Sequence, residues 1–335
     1  MSDDCAIAPP ATALLPRELR VSVVICSHNG ASNLPSTLAA LARNASSFGH
    51  FELIIVDSAS TEDLLSAEAS RHSVAKLEAF GVNVVMIRCQ RLGLTLARVE
   101  GARAARTDII CLLDDDNEVH DHYIARGVSN FDDDRLGVLV SRISPRFAAP
   151  APSSIVRRQH LLAISEFLGD RRIVWDPGID WCPTIGAGMW VRRRILLEIY
   201  SDPPKAVLPD RTGSKLISEG DIEIGIWAGR LGYRRTYAPD VCLDHFIPAS
   251  RLRICYFLRL INGVVRSQAT LNEIYHLRKP PRRWWRWLLL PGFVLMAAGV
   301  AATRRDCLRE FAFIVAAELA ECLGPYDLSD LKEPA

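Results

Sequence analysis

Three consecutive carboxylates close an apolar run, where Ile109-Ile110-Cys111-Leu112-Leu113 leads straight into Asp114-Asp115-Asp116-Asn117. Like charges gathered at the mouth of a buried strand repel one another and lose hydration, so the arrangement is costly unless a cation neutralises it. Hard carboxylate oxygens suit Mg²⁺ or Mn²⁺. Alternate side chains of an extended chain point the same way, which puts Asp114 and Asp116 on one side and Asp115 on the other. The competing reading is a solvated acidic turn, the reading given to Asp132-Asp133-Asp134. A second acidic group, Glu219-Gly220-Asp221-Ile222-Glu223, opens a helical pattern, where Asp221 could cap the helix or favour its dipole. His245 reads either as a metal ligand through a neutral imidazole or as a satisfied core histidine. Arg98 reads either as a bidentate phosphate donor or as an exposed helix residue.

Short β-branched runs at residues 21–26, 53–56, 82–87 and 109–113 alternate with helical patterns near 34–41, 62–71 and 95–105. Such alternation predicts parallel strands with helices on both faces, an α/β fold. In these sheets the ligand crevice lies beyond the carboxyl ends of the strands. The segments just past those ends are Ser27-His28-Asn29-Gly30, Asp57-Ser58-Ala59-Ser60 and Asp114-Asp115-Asp116, so polar residues converge on one edge. Residues 141–183, with Trp175 and Trp181 near their end, carry no period strong enough to assign.

Across 335 residues, 40 Lys and Arg nearly balance 39 Asp and Glu, which leaves no global field for gripping nucleic acid. Nine cysteines without a C-x-x-C spacing read as buried thiols of a reducing compartment. The start, Met-Ser-Asp-Asp, does not resemble a secretory signal, so the Asn44-Ala45-Ser46 sequon is expected to be idle. The sequence has no G-x-x-x-x-G-K-[ST] loop, no G-x-G-x-x-G after the first strand and no G-x-S-x-G elbow. Those absences argue against P-loop hydrolases, dinucleotide oxidoreductases and α/β-hydrolases.

The motifs resemble those of family 2 glycosyltransferases over residues 21–245, in order. Val21-Ser22-Val23-Val24-Ile25-Cys26-Ser27-His28-Asn29-Gly30 is similar to the family's first strand and nucleotide loop, and Ile54-Ile55-Val56-Asp57-Ser58-Ala59-Ser60-Thr61 to its second motif. Gly93, Ala97, Arg98 and Gly101 precede the D-x-D element, and Gly186-Ala187-Gly188-Met189 resembles the small-residue motif beside donor sugar and acceptor. Gly232-Tyr233, Ala238-Pro239-Asp240 and His245 complete the run, while His28, Ser58, Glu62 and the order Glu219-Gly220-Asp221 depart from the usual pattern. The resemblance implies a GT-A fold, with a Rossmann-like, mostly parallel sheet flanked by helices. It also implies a metal-dependent, inverting hexosyltransferase using a nucleotide-diphosphate sugar, expected to be a UDP-sugar. Asp221 would be the catalytic base. Ser27, Asn29, Asp57, Ser60, Arg98, Asp114, Asp115 and Gly188 would bind the donor, and Asp114, Asp116 and His245 would hold Mn²⁺ or Mg²⁺. The acceptor would be a polysaccharide or glycolipid. Transfer to polyprenyl phosphate and a non-catalytic sugar-nucleotide-binding scaffold are the alternatives.

Three regions are expected: a loose leader over 1–20, the catalytic domain over 21–250, and a basic, apolar helical segment over 251–335. Between Arg251 and Arg305 stand eleven basic residues and one acid, Glu273. Arg282-Arg283-Trp284-Trp285-Arg286-Trp287 then opens an uncharged run of 17 residues broken by Pro291-Gly292. That run is short of the roughly 20 residues a spanning helix needs. Trp and Arg at its front suit the water–lipid boundary, so a cytoplasmic enzyme resting on the inner face of a membrane is expected.

Overall fold

The computed structural model describes residues 19–201, 204–211, 216–277 and 305–326. Its first half alternates strand and helix: β1 (Val21–Ser27), α1 (Leu34–Ser47), β2 (Phe51–Ser58), α2 (Glu68–Ala79), β3 (Val84–Cys89), α3 (Leu94–Ala104) and β4 (Ile109–Asp114). β1 pairs in parallel with both β2 and β4, and β2 with β3. There follow β5 (Asn117–Val119), α4 (Tyr123–Ser129), β6 (Leu136–Phe147), α5 (Ser153–Val156), β7 (Ile173–Trp175), β8 (Met189–Arg192) and α6 (Arg193–Ile199). The chain continues through α7 (Gly220–Arg230), β9 (Arg234–Ile247), α8 (Ile254–Tyr275) and α9 (Arg305–Leu323). One sheet runs β3-β2-β1-β4-β8-β6-β9-β5, with β7 added on β9. β8 is antiparallel to β4 and β6, whereas β6 and β9 are parallel.

The continuous apolar runs follow from burial on both faces. Val21, Val23 and Ile25 of β1 pack with Leu34, Leu38 and Leu41 of α1, while Val24 packs with Ala97 and Ala102 of α3. Cys111 and Leu113 of β4 face the first of these layers, and Ile110 and Leu112 face the second. This alternation fixes which side of the sheet each residue at the strand ends looks toward.

Several boundaries differ from the sequence reading. The helix expected near 62–71 begins at Glu68. Asp63 instead forms a turn, its carboxylate accepting the N–H of Leu65, a local alternative that Asp offers the backbone. The stretch 141–183 contains the end of β6, a short helix, two 3-10 turns and β7. Ser165, fully buried, pins it to the sheet by donating to the Ser141 carbonyl at 2.8 Å and accepting from the Ile143 N–H at 2.7 Å. Asn44 of the sequon is buried, with its amide bonded to Ala40, His120 and Ile124.

Past β9, α8 and α9 pack together through Phe257 and Phe313, whose rings lie 5.1 Å apart. Among the described residues no helix is long and apolar enough to cross a membrane. The leader up to residue 18 and the Trp-Arg and uncharged runs within 278–304 lie outside the described residues.

Candidate active site

The loops beyond β1 and β2 are fastened to each other before any ligand arrives. Asn29 adopts the left-handed region at φ 55°. Its N–H donates to the Ser60 hydroxyl at 2.9 Å, and its side-chain oxygen accepts the Thr61 N–H at 2.9 Å. Asp57, buried, accepts the Ser60 N–H at 2.8 Å and pairs with Arg88 at 3.1 Å. Its carboxylate is thereby engaged by protein on both oxygens. Ser27, Asn29 and the neighbouring His28 line a cavity of about 890 Å³, whereas Asp57 and Ser60 stand behind the loop and shape it. Ser58 reaches to the Gly93 N–H at 3.1 Å, tying the second loop to the start of α3.

Asp114, Asp115 and Asp116 all line this same cavity. Strict alternation ends where β4 ends, because a turn follows Asp114. The Asp114 backbone N–H donates to the Asn117 side-chain oxygen at 2.9 Å, its carboxylate has no hydrogen bond or ion pair among the described residues, and burial followed by repulsion from Asp116 pushes that carboxyl above the usual range. Asp115 accepts from the Ser27 hydroxyl and lies 3.5 Å from the Asn33 amide. Burial, then Asp116, pushes Asp115 up to about 6. Burial also opposes ionisation of Asp116, but His245 Nε2 at 3.3 Å and Arg251 at 3.5 Å outweigh it and hold that carboxyl below its usual range.

This geometry bears on a cation. Among the described residues no three His, Cys, Asp or Glu side chains form a ligand cluster, so Asp114, Asp116 and His245 are not a closed cage. Asp114 is nevertheless an unpartnered carboxylate in a poorly hydrated place beside a second one. That donor set fits a divalent ion that takes one or two carboxylates and completes its shell with water and phosphate oxygens, the habit of Mg²⁺ sites. The buried Nδ1 of His245 has no hydrogen-bond partner, and its Nε2 is the atom that faces Asp116.

The same cavity is lined by Asp221, in the first turn of α7. It is not the helix cap: Glu219 holds that position, with no side-chain capping bond. Asp221 accepts the Gly186 N–H at 2.7 Å and the Ile222 N–H at 2.9 Å. Gly186 must be small, because a Cβ there would lie 2.4 Å from the Arg98 guanidinium. Burial, then Asp210, pushes Asp221 up to about 6, and Arg98 partly offsets this. Arg98 is a buried residue of the cavity wall and pairs with Asp210 at 2.7 Å. Gly188 lies outside the lining. Its φ is +67°, its carbonyl accepts from Tyr123 and Ser141, and a Cβ would meet Leu243 at 2.2 Å. Chain packing accounts for that glycine.

Among the Asp, Glu and Arg residues of the lining, four escaped the sequence reading as site residues: Asp210, Glu219, Arg211 and Arg251. Burial, then Asp221, pushes the Glu219 carboxyl up to about 8. Asp210 follows a proline in a segment that reads as a plain turn, so nothing local marks it. Arg251 was read only as one of a basic series, and its partner Asp116 lies 135 positions earlier in the chain.

The family model described as glycosyl transferase family 2 matches residues 22–199. No curated protein matches the chain. Among solved structures, the mannosyltransferase PcManGT from Pyrobaculum calidifontis, in complex with GDP-Man and Mn²⁺, superposes with a TM-score of 0.52 at 16% identity. That alignment covers 95% of this chain and 81% of the other, and it shows a shared fold. S. aureus TarS 1-349 in complex with UDP is also similar, at 13% identity and TM-score 0.46, over 92% of this chain and 93% of that one.

Proposed function

The chain belongs to glycosyl transferase family 2, and from that premise we propose that it moves a sugar from a nucleotide-diphosphate donor to an acceptor hydroxyl, with inversion. One observation carries the reading: a single cavity of about 890 Å³ joins the Asp114-Asp115-Asp116 corner to Asp221.

In this mechanism the loops holding Ser27 and Asn29 seat the nucleotide, with Asp57 and Ser60 keeping them in shape. Asp114 and Asp116, with His245 beside them, would hold a divalent ion, which when bound neutralises charge on the departing diphosphate. Mn²⁺, present with GDP-Man in the Pyrobaculum structure, and Mg²⁺ both suit these oxygens. Arg251 adds a fixed positive charge to the same corner. Asp221, ionised, accepts the proton of the acceptor hydroxyl as its oxygen attacks the anomeric carbon. The N–H groups of Gly186 and Ile222 hold that carboxylate in place. Attack from the face opposite the leaving diphosphate gives one displacement and one inversion. A phosphate acceptor needs no such base, so the position of Asp221 favours a hydroxyl acceptor.

The expected setting is the cytoplasmic face of a membrane, with a glycan or lipid-linked acceptor. Supporting this are Arg253, Ile254 and Arg259, exposed at the start of α8, and Ile314 and Leu323, 49% and 62% exposed on α9. The test of the overall reading is a panel of UDP-, GDP- and dTDP-sugars with and without Mn²⁺, read by thermal shift and nucleoside diphosphate release. The proposal expects one donor to raise the melting temperature only with metal. No response to any donor contradicts it.

A further inference from the structure

Part of the cavity lining carries no formal charge. Residues 160–187 contribute His160, Phe167 and Trp181 among others to its lining, and none of their contributions is an Asp, Glu, Lys or Arg. The part of α8 that reaches the cavity supplies Tyr256, Val264 and Gln268, again without formal charge. The carboxylates of the lining, Asp114, Asp115 and Asp116 among them, come from other segments.

Phe167 is 55% exposed and Trp181 is 44% exposed. Both rings line the cavity while open to water, so each presents an aromatic face that a bound ligand would cover favourably. Each sits on a stiff support. Phe167 follows the buried Ile164 and Ser165, and its ring stands edge-on to His160 at 6.0 Å. Burial, then Arg158, holds the His160 imidazole below its usual range, so this edge carries no added charge near neutral pH.

Trp181 is held by a less common device. Arg235, fully buried in β9, donates to the carbonyls of Asp176 and Ile179 and lies 3.3 Å from the Cys182 sulfur. A buried guanidinium is costly unless its donors are used, and here they fasten the loop whose tip displays Trp181. From that tip the chain runs directly to the base. Thr184 donates to the Asp221 carbonyl at 2.7 Å, and the Gly186 N–H binds the Asp221 carboxylate. The segment carrying Trp181 is thus joined to the proton acceptor by two hydrogen bonds.

We propose that Trp181 and Phe167 form the acceptor subsite, and that it takes an uncharged sugar ring by stacking on the ring's apolar face. The proposal rests on the glycosyltransferase reading above and adds the acceptor's chemical class. An uncharged aromatic wall is complementary to a pyranose, which presents C–H groups on one face and hydroxyls at its rim. A prenyl phosphate would instead call for cations among these residues, and residues 160–187 contribute none to the lining.

The experiment uses the full-length protein and four variants: W181A, W181F, F167A and, as a control away from the cavity, R135A. Saturation-transfer NMR and calorimetry measure binding of neutral disaccharides (cellobiose, maltose, lactose) and of farnesyl phosphate. Binding of nucleoside diphosphate with Mn²⁺ is measured on the same samples. The expected result is millimolar binding of at least one disaccharide through ring protons. W181A and F167A should weaken it at least tenfold, W181F less than threefold and R135A not at all, with nucleotide affinity within twofold throughout. Disaccharide binding indifferent to W181A and F167A, no binding of any disaccharide, or binding of farnesyl phosphate alone overturns the subsite. Sugar binding that depends on Trp181 in a protein that binds no nucleotide keeps the subsite and removes the glycosyltransferase reading.

Discussion

Arg98 and Asp210 form a buried ion pair at 2.7 Å on the cavity wall that carries Asp221. The pair acts on the base in opposite senses, since Asp210 pushes its carboxyl up and Arg98 draws it down, with burial the largest cause of the net rise to about 6. A base works only when ionised, so activity should be present above that value and lost as pH falls through it. Replacing Asp210 with Asn keeps its shape and removes the repulsion. The acid limb of the kcat/KM profile for D210N should then move to lower pH. A limb that stays in place or rises would separate Asp221 from the titration.

Asp114 carries a penalty that its function explains. Its folded-state carboxyl titrates above the ordinary range because of burial and Asp116, so at neutral pH the ionised form is disfavoured in the folded protein relative to the unfolded chain. D114N should therefore melt no lower than the parent in metal-free buffer. With Mn²⁺ and nucleotide the order should reverse, the parent rising and D114N not. Differential scanning calorimetry in the two buffers reads both halves.

Much of this arrangement was legible before any coordinates, and the reasons are local. β4 is a continuous apolar run because both faces are covered, and its carboxylates are adjacent in sequence, so Asp114, Asp115 and Asp116 announce themselves. Asp221 was singled out through its motif. Arg98 was harder, because a helix residue's burial depends on what lies over it, here Asp210, 112 positions further on. Residues 141–183 gave no period strong enough to assign, since much of their order comes from Ser165 and Arg235 bonding to backbone groups rather than from repeated packing. Gly188 was assigned to the donor site through its place in the small-residue motif Gly186-Ala187-Gly188-Met189. The left-handed backbone and the neighbouring Leu243 give it a different reason to be glycine.

That reassignment is testable through G188A. Forcing a Cβ into positive φ and against Leu243 should cost about 2–4 kcal/mol, seen as a lower denaturant midpoint. Protein that remains folded at low temperature should bind nucleotide as the parent does. A normal midpoint with weakened nucleotide binding would return Gly188 to the donor site.

For the proposed membrane contact, full-length protein should sediment with vesicles containing anionic lipid, and less so as salt rises. Binding to neutral vesicles alone, or to none, would contradict an electrostatic contact through the basic segment that begins at Arg251.

The central claim is that Asp221 serves the chemistry while the Asp114 corner serves donor binding, within one cavity. It is tested most directly by measuring, on one preparation of D221N, the Mn²⁺-dependent affinity for the donor and the rate of sugar transfer. The account predicts donor affinity within twofold of the parent and a transfer rate lower by about 10²–10⁴-fold, the usual contribution of a general base. Transfer at an undiminished rate, or donor affinity lost together with the rate, would contradict it.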